Sequence, residues 1–166
     1  MRIVSWNILQ GGGSRSQQII EQLKAWSPDI VGLCEFRGGK ASKSIADALQ
    51  EMGLVNQHAT TNPDRAIDDR LMIASRFPIQ VQKSPGVLGS TGRWIHAKVD
   101  ARRTFDLVLM WVPNRREACT QPVFHRHVLD ALAPYSGKPV LAMGDTNTGV
   151  PGVDEDSNYF KEAEGQ

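Results

Sequence analysis

The sequence predicts an α+β sandwich in which helices cover β-sheets. Three observations carry that expectation. Helix-period segments lie in the first third of the chain, short strand-like segments crowd the middle, and one more helix and strand follow. Strands and helices therefore do not alternate as a doubly wound parallel sheet requires. At 166 residues the chain is long enough for one domain with a core of its own. An apolar fraction of 40 % and a charged fraction of 22 % are those of a globular protein, which sets disordered and fibrous classes aside.

Arg2–Leu9 reads as a buried strand, because Ile3, Val4, Trp6 and Ile8 fall in a short run closed by Gly11-Gly12-Gly13. Ser14 followed by Gln17 has the form of a helix capping box. Ile19, Ile20, Leu23 and Trp26 then mark one helical face, which Pro28 ends. Ile30–Cys34 is a second apolar strand, and it delivers Glu35 at its C-terminal end. A second helix is expected from about Ser42 to Met52, with Ile45, Ala46, Leu49 and Met52 inward and Gly53 as its stop. Leu54–His58 reads as a strand and Thr60–Arg70 as an exposed loop. Strands follow at Leu71–Ser75, Ile79–Gln82, Arg93–Val99 and Phe105–Val112, some parted by turn formers at Phe77-Pro78 and Asp100–Arg103. A helix around Pro122–Leu132 leads to a strand at Pro139–Met143. The tail from Val150 is polar and acidic and carries no complete element.

The formal net charge of +1 argues against a broadly basic nucleic-acid surface, although a small groove can still be locally basic. No apolar run approaches the ~20 residues that span a bilayer. The opening MRIVSWNILQ lacks a long apolar stretch and a small-residue cleavage site, so it reads as a strand and not a signal peptide. Cys34 and Cys119 are the only cysteines, and Cys34 reads as a buried free thiol. Two cysteines without a secretion signal point to a reducing cytoplasm.

The informative polar residues stand at strand ends. Asn7 ends the first strand and Glu35 the second. Asn114 follows Trp111-Val112-Pro113, and Asp145 and Asn147 follow a late strand. If these strands lie side by side, two carboxylates and three carboxamides meet at one rim. Hard oxygen donors of that kind suit Mg²⁺ or Mn²⁺ better than zinc. Taken singly, Glu35 reads as a surface carboxylate, and Asn7, Asp145 and Asn147 as turn residues. Gly11–Gly13 is not a phosphate loop, because no Gly-Lys-Ser/Thr follows it. His125 and His127 stand two apart and do not share a helix face. His58 and His96 are isolated structural or surface groups. Trp6, Trp26 and Trp94 read as packing residues, whereas Trp111 is a candidate lining of the cleft.

Together, five segments in order resemble the endonuclease/exonuclease/phosphatase family. They are Ser5-Trp6-Asn7, Asp29 to Glu35, Leu71–Ser75 with Arg76-Phe77-Pro78, Trp111-Val112-Pro113-Asn114 and Gly144-Asp145-Thr146-Asn147. The resemblance implies a four-layer αββα sandwich of two mixed sheets covered by helices, and divalent-metal-dependent hydrolysis of phosphoesters. It implies that Glu35 binds the metal with Asn7 assisting, and that Asp145 orients or deprotonates the attacking water. Asn147 and Asn114 would hold phosphate oxygens, with Arg37, Arg70 and Trp111 contacting substrate. The expected cofactor is Mg²⁺ or Mn²⁺, and the expected substrate is a phosphodiester in nucleic acid. Phosphomonoesters and phospholipid headgroups belong to the same chemistry and stay open. Trp111 departs from the Tyr or His common in relatives, and Thr146 from their aromatic or Leu. The family's last motif, a Ser-Asp-His, has no counterpart after Asn147, and no histidine follows His127. The expectation is therefore a single domain over 1–166 whose C-terminal portion is missing, with unpaired sheet edges open to self-association. The alternatives are completion by a second chain, or a non-catalytic binding or assembly module that kept the fold.

Overall fold

The structure, a computed structural model, describes residues 1–83, 86, 88, 92–113 and 121–148; Asn114, Cys119 and the tail from Val150 lie outside the described residues. The strands are β1 Ile3–Asn7, β2 Ile30–Phe36, β3 Asn56–Ala59, β4 Arg70–Ser75, β5 Ile79–Val81, β6 Trp94–Val99, β7 Phe105–Trp111 and β8 Val140–Asp145. The helices are α1 Ser16–Trp26, α2 Lys40–Glu51 and α3 Gln121–Leu132. One sheet runs β1-β2-β4-β3, with β1 and β2 parallel and the rest antiparallel. The other runs β5-β6-β7-β8, with β7 and β8 parallel and the rest antiparallel. Both sheets are mixed, as expected.

Strand alternation builds four layers. In β2, Val31 and Leu33 turn to Ile19, Leu23, Ile45 and Leu49 of α1 and α2. Ile30 and Cys34 turn the other way and, with Leu71 and Ile73 of β4, meet Ile95, Ala97, Leu107 and Leu109 of the second sheet. The far face of that sheet is sealed by α3, whose Phe124 and Val128 pack on Trp94 and Val108. Between the sheets Gly32 leaves no room for a side chain: a Cβ there would stand 2.8 Å from Leu109 Cδ1 and 2.5 Å from Met143 Cε. Close-packed interiors transmit such contacts directly, so this glycine sets the sheet separation locally.

Some boundaries differ from expectation. The Ser14/Gln17 capping box does not form. Gly13–Arg15 makes a short 3₁₀ turn, α1 starts at Ser16 without a side-chain cap, and Gln17 instead donates to Glu21 at 3.0 Å. At the other end α1 stops at Trp26, with Ser27 in the left-handed region ahead of Pro28. Helix α2 ends as expected, the Leu54 amide closing back on the Leu49 carbonyl at 3.0 Å around Gly53. Among the described residues no helix is long and apolar enough to cross a membrane.

Candidate active site

Parallel pairing brings strand ends of one sense together. β1 and β2 end at Asn7 and Phe36, and β7 and β8 end at Trp111 and Asp145, which are register partners. The two pairs meet across the sandwich, where the Cys34 thiol approaches the Met110 carbonyl at 3.5 Å.

Glu35 does not simply end its strand. Cys34 pairs with Leu71 and Phe36 with Arg70, so Glu35 is the extra residue of a β-bulge, with φ of 56°. Unbroken alternation would press Glu35 against the helices and turn Phe36 between the sheets. The bulge reverses that: Phe36 rejoins the helix-side core, and the Glu35 carboxylate is released to the rim. Positive φ on a non-glycine residue is costly, and such residues cluster where function requires a particular aim.

Asn7 holds the centre. Its Nδ2 donates to Glu35 Oε1 at 2.8 Å and to Asp145 Oδ2 at 2.8 Å, while its Oδ1 accepts the Leu9 amide at 2.9 Å. That third bond fixes which end of the amide faces the carboxylates. The remaining oxygens are also held: Glu35 Oε2 accepts the Gln10 amide at 2.9 Å, and Asp145 Oδ1 accepts the Asn147 amide at 2.9 Å. Each carboxylate oxygen keeps further acceptor capacity for a cation or a water. Asn147, itself at φ 47°, ties the rim to β7, its Nδ2 donating to the Val112 carbonyl at 2.7 Å. Gln121 at the start of α3 donates to the Asn147 carbonyl at 2.9 Å.

Three arginines at this end are engaged. Arg37 makes a two-pronged contact with Asp69, at 2.6 and 3.2 Å, and Asp69 holds its guanidinium protonated beyond the ordinary arginine range. Arg70 starts β4 opposite Phe36 and pairs with Asp68 at 2.7 Å. Trp111 is half-buried, with the Arg93 guanidinium 4.2 Å above its ring. Beneath the carboxylates, burial pushes the Cys34 thiol up to about 12, and the Asp145 and Glu35 charges act in the same direction. It stays a neutral thiol at physiological pH, a packing group and not a ligand.

The structure thus brings Asn7, Glu35, Asp145 and Asn147 together and places Trp111 and Arg70 on the same rim. Asp69, Gln10 and Arg93 were not singled out from sequence. A β4 or β6 strand antiparallel to its neighbour must begin at this rim, which was the available signal for Arg93. Among the described residues no three His, Cys, Asp or Glu side chains gather as a metal cluster. The donors are the two carboxylates, bridged by the Asn7 Nδ2, which fits Mg²⁺, an ion content with one or two protein carboxylates and water or phosphate oxygens. It does not fit a tetrahedral zinc set of cysteines and histidines.

The model of the Endonuclease/Exonuclease/phosphatase family matches residues 4–155. Among solved structures, a 3′–5′ exonuclease (NExo) from Neisseria meningitidis aligns with TM-score 0.66 at 20% identity, over 87% of this chain and 57% of its own. An AP endonuclease from Archaeoglobus fulgidus aligns with TM-score 0.69 at 18% identity, over 93% and 60%. A 3′ phosphatase, NExo from Neisseria bound to a product DNA hairpin, aligns with TM-score 0.68 at 18% identity, over 94% and 60%. At these identities the likeness is one of fold, and the chain spans less than two thirds of each of the three solved structures. No curated protein sequence matches the chain.

Proposed function

The chain belongs to the Endonuclease/Exonuclease/phosphatase family, and on that premise we propose that it hydrolyses phosphodiesters of nucleic acid with a divalent cation, Mg²⁺ or Mn²⁺, held at Glu35. The observation that carries the reading is the Asn7 amide, which spans the Glu35 and Asp145 carboxylates from two different sheets at 2.8 Å each. Two carboxylates drawn together in this way form a focus of negative charge that a cation relieves. A cation bound there would supply Lewis-acid polarisation of a phosphoryl oxygen and a lowered pKa for its water.

The chain's own groups do the rest. Glu35 anchors from a bulge that aims it outward. Asn7 assists in the same shell by fixing both carboxylates, and its Oδ1 reaches a cation only after releasing the Leu9 amide. Asp145, whose Oδ1 is steadied by the Asn147 amide, orients the attacking water and accepts its proton. Asn147 and Asn114 hold phosphate oxygens; Asn147, fixed by its bond to the Val112 carbonyl, does so as a preorganised donor. Arg37 and Arg70 contribute positive charge near the substrate phosphates, and Trp111 lines the cleft beside its register partner Asp145. A DNA substrate is favoured because one fold relative holds a product DNA hairpin.

The test is cleavage of bis(p-nitrophenyl) phosphate and of a short DNA strand in Mg²⁺. The wild-type chain is expected to act only with metal. Glu35→Gln and Asp145→Asn are each expected to lose about 10²–10⁴-fold in rate. Retained metal-dependent cleavage in both variants rejects the assignment.

A further inference from the structure

The two outer strands on one side of the sandwich, β1 and β8, are open. Among the described residues β1 pairs only with β2, and β8 only with β7. In β1 the Arg2 carbonyl accepts the Ile30 amide at 3.3 Å and the Ile8 amide donates to the Cys34 carbonyl at 3.1 Å. Alternation therefore turns the peptide groups of Ile3, Ser5 and Asn7 away from β2. In β8 the carbonyls of Pro139 and Asp145 accept the Asp106 and Val112 amides, both at 2.9 Å. That turns the peptide groups of Val140, Ala142 and Gly144 outward. Side-chain cover thins at the same place. Ser5 and Ala142, in the middle of the two strands, are exposed, and Ile3, Trp6, Leu141 and Met143 are only partly buried. Val31 and Leu33 of the neighbouring β2 are fully buried.

The opposite side is protected and this one is not. There β3 presents Asn56, Gln57 and His58, and β5 is a short strand set between Pro78 and Gln82-Lys83. Polar, short and Pro-flanked edges resist added strands. β1 carries no charge and no proline from Ile3 to Asn7, and β8 none from Val140 to Gly144. The two open edges also share a direction and a level. Both run to the rim where Asn7 Nδ2 meets Asp145 Oδ2 at 2.8 Å, and Ser5 and Ala142 lie two and three residues before those ends. One two-fold axis, normal to both sheets and passing beside Ser5 and Ala142, therefore serves both edges at once. Charge agrees with it. The strands start beside Arg2 and Lys138, both exposed, and finish at the carboxylates that Asn7 bridges. Antiparallel pairing sets each of those cations against opposite charge.

We propose that this side is the interface of a homodimer, in which β1 pairs antiparallel with β1, and β8 with β8, of a second copy, so that both sheets run on across the axis. Ser5 faces the partner's Ser5 and Ile3 the partner's Asn7. Ala142 faces the partner's Ala142 and Val140 the partner's Gly144. Lys138 then stands beside the partner's Asp145, and Ile3, Leu141 and Met143 between the sheets cover their counterparts. A single peptide strand closes one edge, whereas a second copy closes both in matching register. The two-fold arrangement also ends there and does not propagate into fibres. The interface is independent of the cleavage chemistry.

The test is sedimentation velocity of the 166-residue chain over a dilution series, joined to oxidative cross-linking. The wild type is expected to form a species of twice the chain mass that dissociates on dilution. Ser5→Lys with Ala142→Lys sets like charges directly opposite across the axis and is expected to sediment as a single chain. Gln80→Lys, on the protected edge strand β5, is expected to stay dimeric. Opposed residues of a hydrogen-bonded antiparallel pair stand about 5.5 Å apart at Cα, inside the roughly 4.4–6.8 Å span of a disulfide. Ala142→Cys in a Cys119→Ser background is therefore expected to cross-link into a covalent dimer on mild oxidation, and Gln80→Cys in that background is not. Circular dichroism checks that the double-lysine variant keeps its strands, and if it unfolds the cross-link decides alone. A single-chain mass for the wild type at every concentration, which leaves these edges to strands of another polypeptide, overturns the proposal. So does a dimer that persists in the folded double-lysine variant, equal cross-linking through Gln80→Cys, or growth into open-ended polymers.

Discussion

The Asn7 side chain in the first sheet donates to Asp145 in the second at 2.8 Å, across 138 residues of sequence. Because the same nitrogen also bonds Glu35, one amide sets the separation of two carboxylates that would otherwise repel. Asn7→Ala should therefore leave the fold intact and let the carboxylates part. Groups that orient ligands typically contribute 10–100-fold, and a fall of that size in Mg²⁺-dependent cleavage is expected. Asn7→Ala with wild-type rate and wild-type metal dependence would show that the bridge is incidental.

Gly144 is held where β8 runs against β7. Its φ is 138°, and a Cβ there would lie 1.8 Å from the Met110 carbonyl oxygen. Backbone cannot yield as a side-chain tip can. Gly144→Ala should cost at least about 3 kcal/mol, the upper end for overpacking. Gly32→Ala meets only the ends of the Met143 and Leu109 side chains and should cost less, about 1–3 kcal/mol. Urea unfolding of the two variants gives the comparison, and an equal or reversed order contradicts it.

His58 on β3 is partly buried, and burial lowers its pKa from the ordinary 6.5. The unfolded chain then takes up a proton at a higher pH than the folded one. Stability from this group is full above about 6.5 and falls as pH drops through the lowered folded value. Asp29 is lowered as well: the Arg2 backbone amide holds its pKa below the ordinary 3.8, so its contribution is lost only in stronger acid. His58→Gln should flatten the dependence of Tm on pH just below 6.5 and leave the acid limb in place. An unaltered profile would assign the slope to other groups.

Much of this was legible in the sequence. Short apolar runs fixed most of the strands, and the polar residues that end them, Asn7, Glu35 and Asp145, pointed to one rim. The bulge at Glu35 was not legible, because it exists only through pairing with β4, a partner some 35 residues away. Ser14 looked like a helix cap from local spacing, but Gly13–Arg15 closes a 3₁₀ turn first and Ser16 starts the helix. Arg37 was visible as a cation near the site. Its engagement by Asp69 was not, since an ion pair between loops leaves no periodic trace. Asn114 lies outside the described residues.

The most direct measurement is titration of Mn²⁺ into the protein by calorimetry, with wild type and Glu35→Gln side by side. Saturable binding at one site in the wild type, lost or weakened at least tenfold in the variant, is the predicted result. Equal binding by both proteins, or none by the wild type, would contradict a cation site at the Asn7-bridged carboxylates.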